Sequence, residues 1–332
     1  MYQTLKKLIK VHGVSGREGA VAGAIAEEIL PYVDEVTTDA LGNLIALKKG
    51  SGEDKKKHML CAHMDEIGFI VTYIEDNGFL RVSTVGGIRF IPAAYMPVVF
   101  ESGLRGVIAP EEDLEKKEDY RATKFYIDIG AKDKKDAEKR VRIGDCAVIE
   151  PSLVRLAGSR VAARPIDDRL GCAILIDIAK RLDTPKDDVY FVFSVQEEVG
   201  CRGAKTAAFA IAPDDALVFD VTGTGDVPGA KPMAIRLGDG AAIKVKDSSV
   251  ICDVETVERL KTLAKAHKIP HQLEILTYGG TDTSSIQTTG LGAKAGALSI
   301  PTRNIHTAME IVDMHDAEAC RDLALAYLTE GE

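Results

Sequence analysis

An α/β fold, with a mixed, largely parallel sheet flanked by helices and a small β-rich domain inserted into it, follows from three features of the sequence. From Arg164 onward, short apolar strands alternate with helix-spaced segments, the pattern of a largely parallel sheet covered on both faces. Between Phe69 and about Val161 that pattern gives way to short alternating strands and turns, as in "FIVTYIEDNGFLRV" and "MPVVFESGLRGVI". And several of the apolar strands stop abruptly at charged residues. The stretch "VFSVQEEVG" at 192–200 is the clearest case, with Glu197 and Glu198 adjacent at the end of a run from Val189 to Val195.

The elements follow in order. "MYQTLKKLIKVHG" reads as a short amphipathic helix without the long apolar core or small-residue cleavage site of a signal peptide. Ser15-Gly16-Arg17-Glu18 has the form of a capping box. It predicts a helix to about Leu30 with Val21, Ile25 and Ile29 on one face. Val36 to Leu47 reads as two strands around Gly42-Asn43, and Met59 to Ala62 as a strand running into "AHMDEIG". Within the β-rich block, Lys132 to Arg140 is a charged helix-prone patch, and Glu111 to Lys124 reads as a charged, mobile surface loop. Beyond it the spacing predicts helices over Leu170–Leu182, Ala204–Ile211, Val254–His267 and Met314–Leu328. Strands are predicted over Val189–Val195, Ala216–Phe219 and Ala295–Ile300. The first segment, with its helices and the strand before His63, belongs with the later one. The chain thus divides into a catalytic domain of residues 1–68 and 162–332 and an insertion of residues 69–161, which its 332 residues allow.

Composition narrows the function. The chain is 45 % hydrophobic and 28 % charged, in the range of a soluble globular protein. A net charge of -9 argues against a nucleic-acid partner. No apolar run reaches the roughly eighteen residues of a membrane span. The six cysteines are scattered without a C-x-x-C pair, which reads as buried reduced thiols in a cytoplasmic protein.

The polar residues past the strand ends form one inventory: His63 and Asp65, Asp167 and Asp168, Glu197 and Glu198, Asp220, and His306. Ligands of open α/β sheets bind at the carboxyl ends of the strands. Two imidazoles and several carboxylates gathered there suit zinc, cobalt or manganese. The carboxylates outnumber the needs of one ion, and a bridging carboxylate with a histidine on each ion would hold a pair about 3.5–4 Å apart. Neighbouring side chains on an extended segment point opposite ways. One of Glu197 and Glu198 can therefore bind metal while the other serves as general base, and the cation offsets the repulsion between the two.

In this order, "AHMDEIG", "PIDDRLGCAIL", "QEEVGCRGA", "FDVTGTGDVPG", "GGTDTSS" and "PTRNIHT" resemble the tetrahedral (TET) and glutamyl aminopeptidase family of dinuclear metallopeptidases, members of which are often labelled cellulase M or endoglucanase. "FYIDIGAKDKKDAEKRVRIGD" extends the resemblance into the insertion, so that it covers nearly the whole chain. The resemblance implies two divalent ions, zinc first, with cobalt or manganese as alternatives. His63 and His306 would each bind one ion, Asp167 would bridge them, and Glu198 and Asp220 would complete the pair. Glu197 would be the general base and Asp65 would orient His63 from behind. The insertion would be a PDZ-like dimerisation domain, and dimers would assemble into a hollow dodecamer. Family members commonly carry a histidine after "DVT"; here that place is Gly223, which puts the adjacent substrate subsite in question.

The expected reaction is release of an N-terminal residue from a short peptide. Asp282, in the glycine-flanked loop "YGGTDTSS", is a candidate to hold the substrate's α-amine or else an ordinary turn residue. Arg303 is a candidate oxyanion partner or a salt-bridge residue. The rivals are a carboxypeptidase or amide deacylase built on the same metal pair, a glycoside hydrolase, and a binding protein with a relic site. A glycosidase needs two carboxylates about a sugar ring but no histidine ligands, and this chain has no tryptophan to line a sugar cleft.

Overall fold

The computed structural model describes residues 1–112, 114 and 116–330. The chain opens with α1 (Tyr2–Leu8) and α2 (Gly19–Ile29), then β1 (Glu35–Thr38), β2 (Leu44–Lys48) and β3 (Lys57–His63). Val21, Ile25 and Ile29 are the buried face of α2, as their spacing predicts. The capping box is not formed: α2 has no side-chain cap. Instead Ser15 Oγ donates to Asp65 Oδ2 at 2.6 Å, and Glu18 Oε1 accepts from Gln196 N at 3.1 Å. Glu18 Oε1 also accepts from Gly16 N at 2.7 Å, so the two side chains tie the approach to α2 to the loops after two central strands.

Next come β4 (Gly68–Ile74), β5 (Leu80–Val85), β6 (Met96–Phe100), β7 (Arg105–Pro110), β8 (Phe125–Asp128) and β9 (Cys146–Ile149), with short helices α3 (Phe90–Ala93) and α4 (Lys134–Glu138) between them. These strands close into a barrel in the order β4-β5-β8-β7-β6-β9. It has its own core, with Phe69, Val98, Phe100, Phe125 and Ile127 buried inside. The loop reading of Glu111–Lys124 falls in part on Asp113 and Glu115, outside the described residues; at its base Glu111 N donates to Lys124 O at 2.8 Å.

The remainder builds the main sheet: β10 (Ser152–Arg155), β11 (Arg160–Arg164), β12 (Asp188–Ser194), β13 (Asp215–Thr222), β14 (Ala241–Lys246), β15 (His271–Ile275), β16 (Lys294–Arg303) and β17 (Glu310–Asp313). Helices α5 (Arg169–Arg181), α6 (Arg202–Ile211), α7 (Val254–Ala266), α8 (Asp282–Gln287) and α9 (Met314–Thr329) alternate with them. Among the described residues the sheet runs β1-β2-β12-β3-β13-β16-β17-β11-β10, with β14 and β15 attached beside β16. It is mixed. The central strands β12, β3, β13 and β16 are mutually parallel; β2, β14 and β17 join them antiparallel, and β15 lies parallel to β14.

Period-two alternation decides which face each side chain serves. Leu60, Ala62, Phe191, Phe193, Leu217 and Phe219 point to the large core beneath α5 and α9. Met59, Cys61, Val192, Ala216 and Val218 point to a smaller core with Ala204, Ala207 and Ile286 from α6 and α8. With both faces covered, these strands must be apolar throughout, which is why they read as continuous runs. Phe191→Ala, at a fully buried position, is expected to lower stability by about 3–5 kcal/mol, measured as a shift of the urea unfolding midpoint at unchanged slope.

Candidate metal centre

Strand register brings the polar residues together. β12 runs parallel to β3 with Ser194 opposite His63, so the segment just past Ser194 stands beside the imidazole. Gln196 turns the chain there with a left-handed φ of 56°, which few non-glycine residues adopt. The turn closes through Glu197 O, which accepts from Gly200 N and Cys201 N at 2.8 Å each. On the other side of β3, Asp220 lies inside β13 rather than after it, opposite Ser299 of β16. His306 follows β16, also left-handed at φ 61°.

The Asp167-Asp168 pair divides its labour. Asp168 caps α5, its Oδ1 accepting from Gly171 N at 3.0 Å. Asp167 turns the other way, into the cluster. Its Oδ1 lies 3.0 Å from His63 Nε2 and its Oδ2 lies 3.3 Å from His306 Nε2. One carboxylate thus faces two imidazoles, one through each oxygen. Glu198 Oε2 is 3.2 Å from His306 Nε2, and Asp220 Oδ1 is 3.9 Å from His63 Nε2.

Both imidazoles are held from behind. His63 Nδ1 donates to Asp65 O at 3.2 Å and lies 3.3 Å from Asp65 Oδ1; His306 Nδ1 donates to Gly87 O at 3.0 Å. Binding Nδ1–H in this way leaves each Nε2 lone pair for a metal. Asp65 does more than orient His63, because its carboxylate also accepts from Glu197 N at 3.0 Å and Glu198 N at 3.2 Å. Glu310 does the same for the other half. Fully buried, it accepts from Ile166 N at 2.7 Å, Asp167 N at 3.2 Å and His306 N at 3.1 Å. Sequence reasoning missed Glu310 and Gly87. Neither has a local pattern, since Glu310 acts on amides far away in the chain and Gly87 acts through its carbonyl.

The electrostatics are those of a cation site. Burial, then mutual repulsion, raises the carboxyls of Glu197, Glu198 and Asp220 above their ordinary range. Burial would lower both imidazoles, but Asp167 and its neighbours outweigh it and hold His63 and His306 well above the usual value. Glu198 Oε1 is buried with no hydrogen-bond partner, a cost that ligation would remove. Nitrogen and oxygen donors of this kind, with one orphaned oxygen among them, fit a borderline or hard divalent ion.

The cluster forms one end of a cavity of about 700 Å³. Glu197 lines it, and its Oε1 accepts from Cys201 Sγ at 3.2 Å. Arg303 lines the cavity, and its guanidinium pairs with Asp226 through Nε at 3.1 Å and Nη2 at 2.5 Å, the salt bridge that is one of its two readings from sequence. Asp282 does not reach the cavity as a substrate-amine contact. It is 1 % exposed, at the start of α8, with Oδ2 accepting from Ser194 Oγ at 2.5 Å beneath the strand ends. Gly223 lines the cavity, and a Cβ there would stand 3.2 Å from the Tyr278 hydroxyl.

A match to the M42 glutamyl aminopeptidase family spans residues 42–323. The chain belongs to this family. It is 49 % identical to a putative aminopeptidase of Acetivibrio thermocellus, over 95 % of this chain and 94 % of that one. Among solved structures it resembles aminopeptidase APDkam598 of Desulfurococcus kamchatkensis (TM-score 0.95, 38 % identity, 99 % and 94 % covered). It also resembles the TET1 peptidase of Pyrococcus horikoshii, described as able to assemble into a tetrahedron or a large octahedral shell (TM-score 0.89, 34 % identity, 99 % of each chain). As an M42 family member the chain is a peptide-hydrolysing enzyme, a metal-dependent aminopeptidase. No helix among the described residues is long and apolar enough to cross a membrane.

For this M42 chain the contacts of Asp65 make a direct prediction. Asp65→Asn is expected to weaken metal binding by about 10–100-fold, read by competition with a chromophoric chelator, because an amide cannot accept from Ser15 Oγ, Glu197 N and Glu198 N together.

Proposed function

We propose that the chain is a dinuclear aminopeptidase that removes N-terminal residues from short peptides, with zinc, or else cobalt or manganese, in a pair of sites. His63 and Asp220 hold one ion, His306 and Glu198 the other, and Asp167 bridges them. The observation that carries this is the Asp167 carboxylate, with one oxygen directed at each histidine. The ions, when bound, polarise the scissile carbonyl and acidify the attacking water.

The rest falls to the chain. Glu197 takes the proton of the attacking water and returns it to the leaving amine. Asp65 and Glu310 fix the two halves of the site. Arg303, clamped by Asp226, stands in the wall beside the substrate carbonyl. A metal or a carboxylate of the site anchors the α-amine, and Asp282 adds negative potential from below. Residues 1–68 and 162–332 form the catalytic domain, and residues 69–161 a PDZ-like domain through which copies pair on the way to a dodecamer. The tetrahedral assembly of the TET1 peptidase supports this, as do the exposed Ile91, Tyr95 and Ile143 of the barrel block. That block also reaches the site, through Gly87 and Arg89. A glycosidase reading finds no support: Asp167, Glu198 and Asp220 face imidazoles, and Tyr278 is the sole Phe, Tyr or Trp ring among the described lining residues.

The test is release from acidic, basic, aliphatic and aromatic aminoacyl-arylamides by metal-stripped protein with zinc, cobalt or manganese restored, beside a β-glucan control. Metal-dependent release from one class supports the reading and gives the specificity that the Gly223–Tyr278 wall selects. Hydrolysis only of N-blocked or carboxyl-terminal substrates sinks it in favour of a deacylase or carboxypeptidase.

A further inference from the structure

Behind the proposed base lies a second cluster of donor atoms. Glu197, Cys201 and Asp282 each present one ligand atom, two carboxylate oxygens and a thiol sulfur, and these lie within 4.8 Å of one another. Cys201 and Asp282 are absent from the ligand set of the metal pair.

Two features separate this cluster from an ordinary group of acidic side chains. Asp282 is 1 % exposed, and its Oδ1 has no hydrogen-bond partner while Oδ2 is taken by Ser194. A buried carboxylate oxygen without a donor is costly unless something supplies positive charge. Cys201 is the half-buried thiol among six cysteines, the other five being buried. Its place is fixed by the backbone: φ is 51°, its N donates to Glu197 O, and it leads directly into α6. It also lines the cavity, as Glu197 does, so the cluster can be reached from solvent.

We propose that Glu197, Cys201 and Asp282 form an additional cation site for a thiophilic divalent ion, zinc in excess or cadmium, and that filling it silences the enzyme. Thiolate with carboxylate selects such ions over manganese or magnesium. Binding displaces the thiol proton to solvent, and the thiolate and both carboxylates close on the ion. A Glu197 carboxylate committed to that ion cannot accept a proton from water. The effect on activity rests on the proposed role of Glu197; the binding site does not.

The experiment titrates cadmium into enzyme whose catalytic pair is already loaded. It follows bound cadmium by dialysis, the ultraviolet thiolate-to-cadmium charge-transfer band, and arylamide release. The proposed metal pair contains no thiolate, so the band reports a thiol site apart from it, and Cys201→Ala separates Cys201 from Cys61, whose Sγ lies 3.7 Å from Asp282 Oδ2. The expected result is one further equivalent of cadmium, a band that grows with it and activity that falls in step. Cys201→Ala loses both the band and the further equivalent, Asp282→Asn weakens them, and manganese gives no inhibition. Absence of the band, or its survival in Cys201→Ala, overturns the site, and an unchanged cadmium affinity in Asp282→Asn removes the carboxylate from it. If the band forms as described while Glu197→Gln hydrolyses arylamides at the parent rate, the site stands and the assignment of the base fails.

Discussion

Glu197→Gln is expected to lower kcat by about 10²–10⁴-fold, the usual range for losing a general base, while the protein keeps its full complement of metal. The amide has the same shape and can still accept from Cys201 Sγ, so the wall of the cavity survives. It cannot accept a proton at neutral pH. The expectation depends on a division between neighbours. Glu198 Oε2 lies 3.2 Å from His306 Nε2, whereas Glu197 Oε1 accepts from Cys201 Sγ. Steady-state kinetics on the preferred arylamide, with elemental analysis of the same sample, separates the two roles. A variant that lost metal as well as rate would place Glu197 among the ligands.

Asp167→Ala has the other large effect. It removes the group that faces both imidazoles and leaves His63 and His306 without their shared partner, so both ions are expected to be lost and arylamide release to fall below detection. Glu198→Ala removes a contact to His306 alone, and the ion beside His63 should remain bound. Elemental analysis after gel filtration checks both variants. Equal retention of metal by Asp167→Ala and the parent would rule out the bridging role.

These outcomes were readable in the sequence to different depths. The central strands were plain because burial on both faces leaves no room for polar residues, and the site lies where those runs stop. β14 and β15 were invisible for the converse reason. Each carries a buried charge, Lys244 and Glu274, paired at 2.6 Å across the two strands, and a strand with a lysine at its centre does not read as an apolar run. Local motifs misled where their partners were distant. Ser15 and Glu18 have the spacing of a capping box, but Ser15 donates to Asp65 and Glu18 accepts from Gly16 N and Gln196 N. Asp282 sits in a glycine-flanked stretch that suggests an open loop, whereas Ser194 draws its carboxylate beneath the sheet ends. The proposed metal ligands were legible because they stand at or near the ends of the apolar strands. Glu310, which holds Asp167 and His306 through their backbone amides, was not.

The most direct test of the central claim is a titration of metal-stripped protein with zinc, in which bound metal and arylamide release are measured on the same samples. A carboxylate shared between two histidine-anchored ions predicts that release rises until a pair of ions is bound per chain, and that Asp167→Asn neither fills the pair nor regains activity. Full activity with a single ion, or in the stripped protein, or in Asp167→Asn, would contradict a bridged dinuclear site.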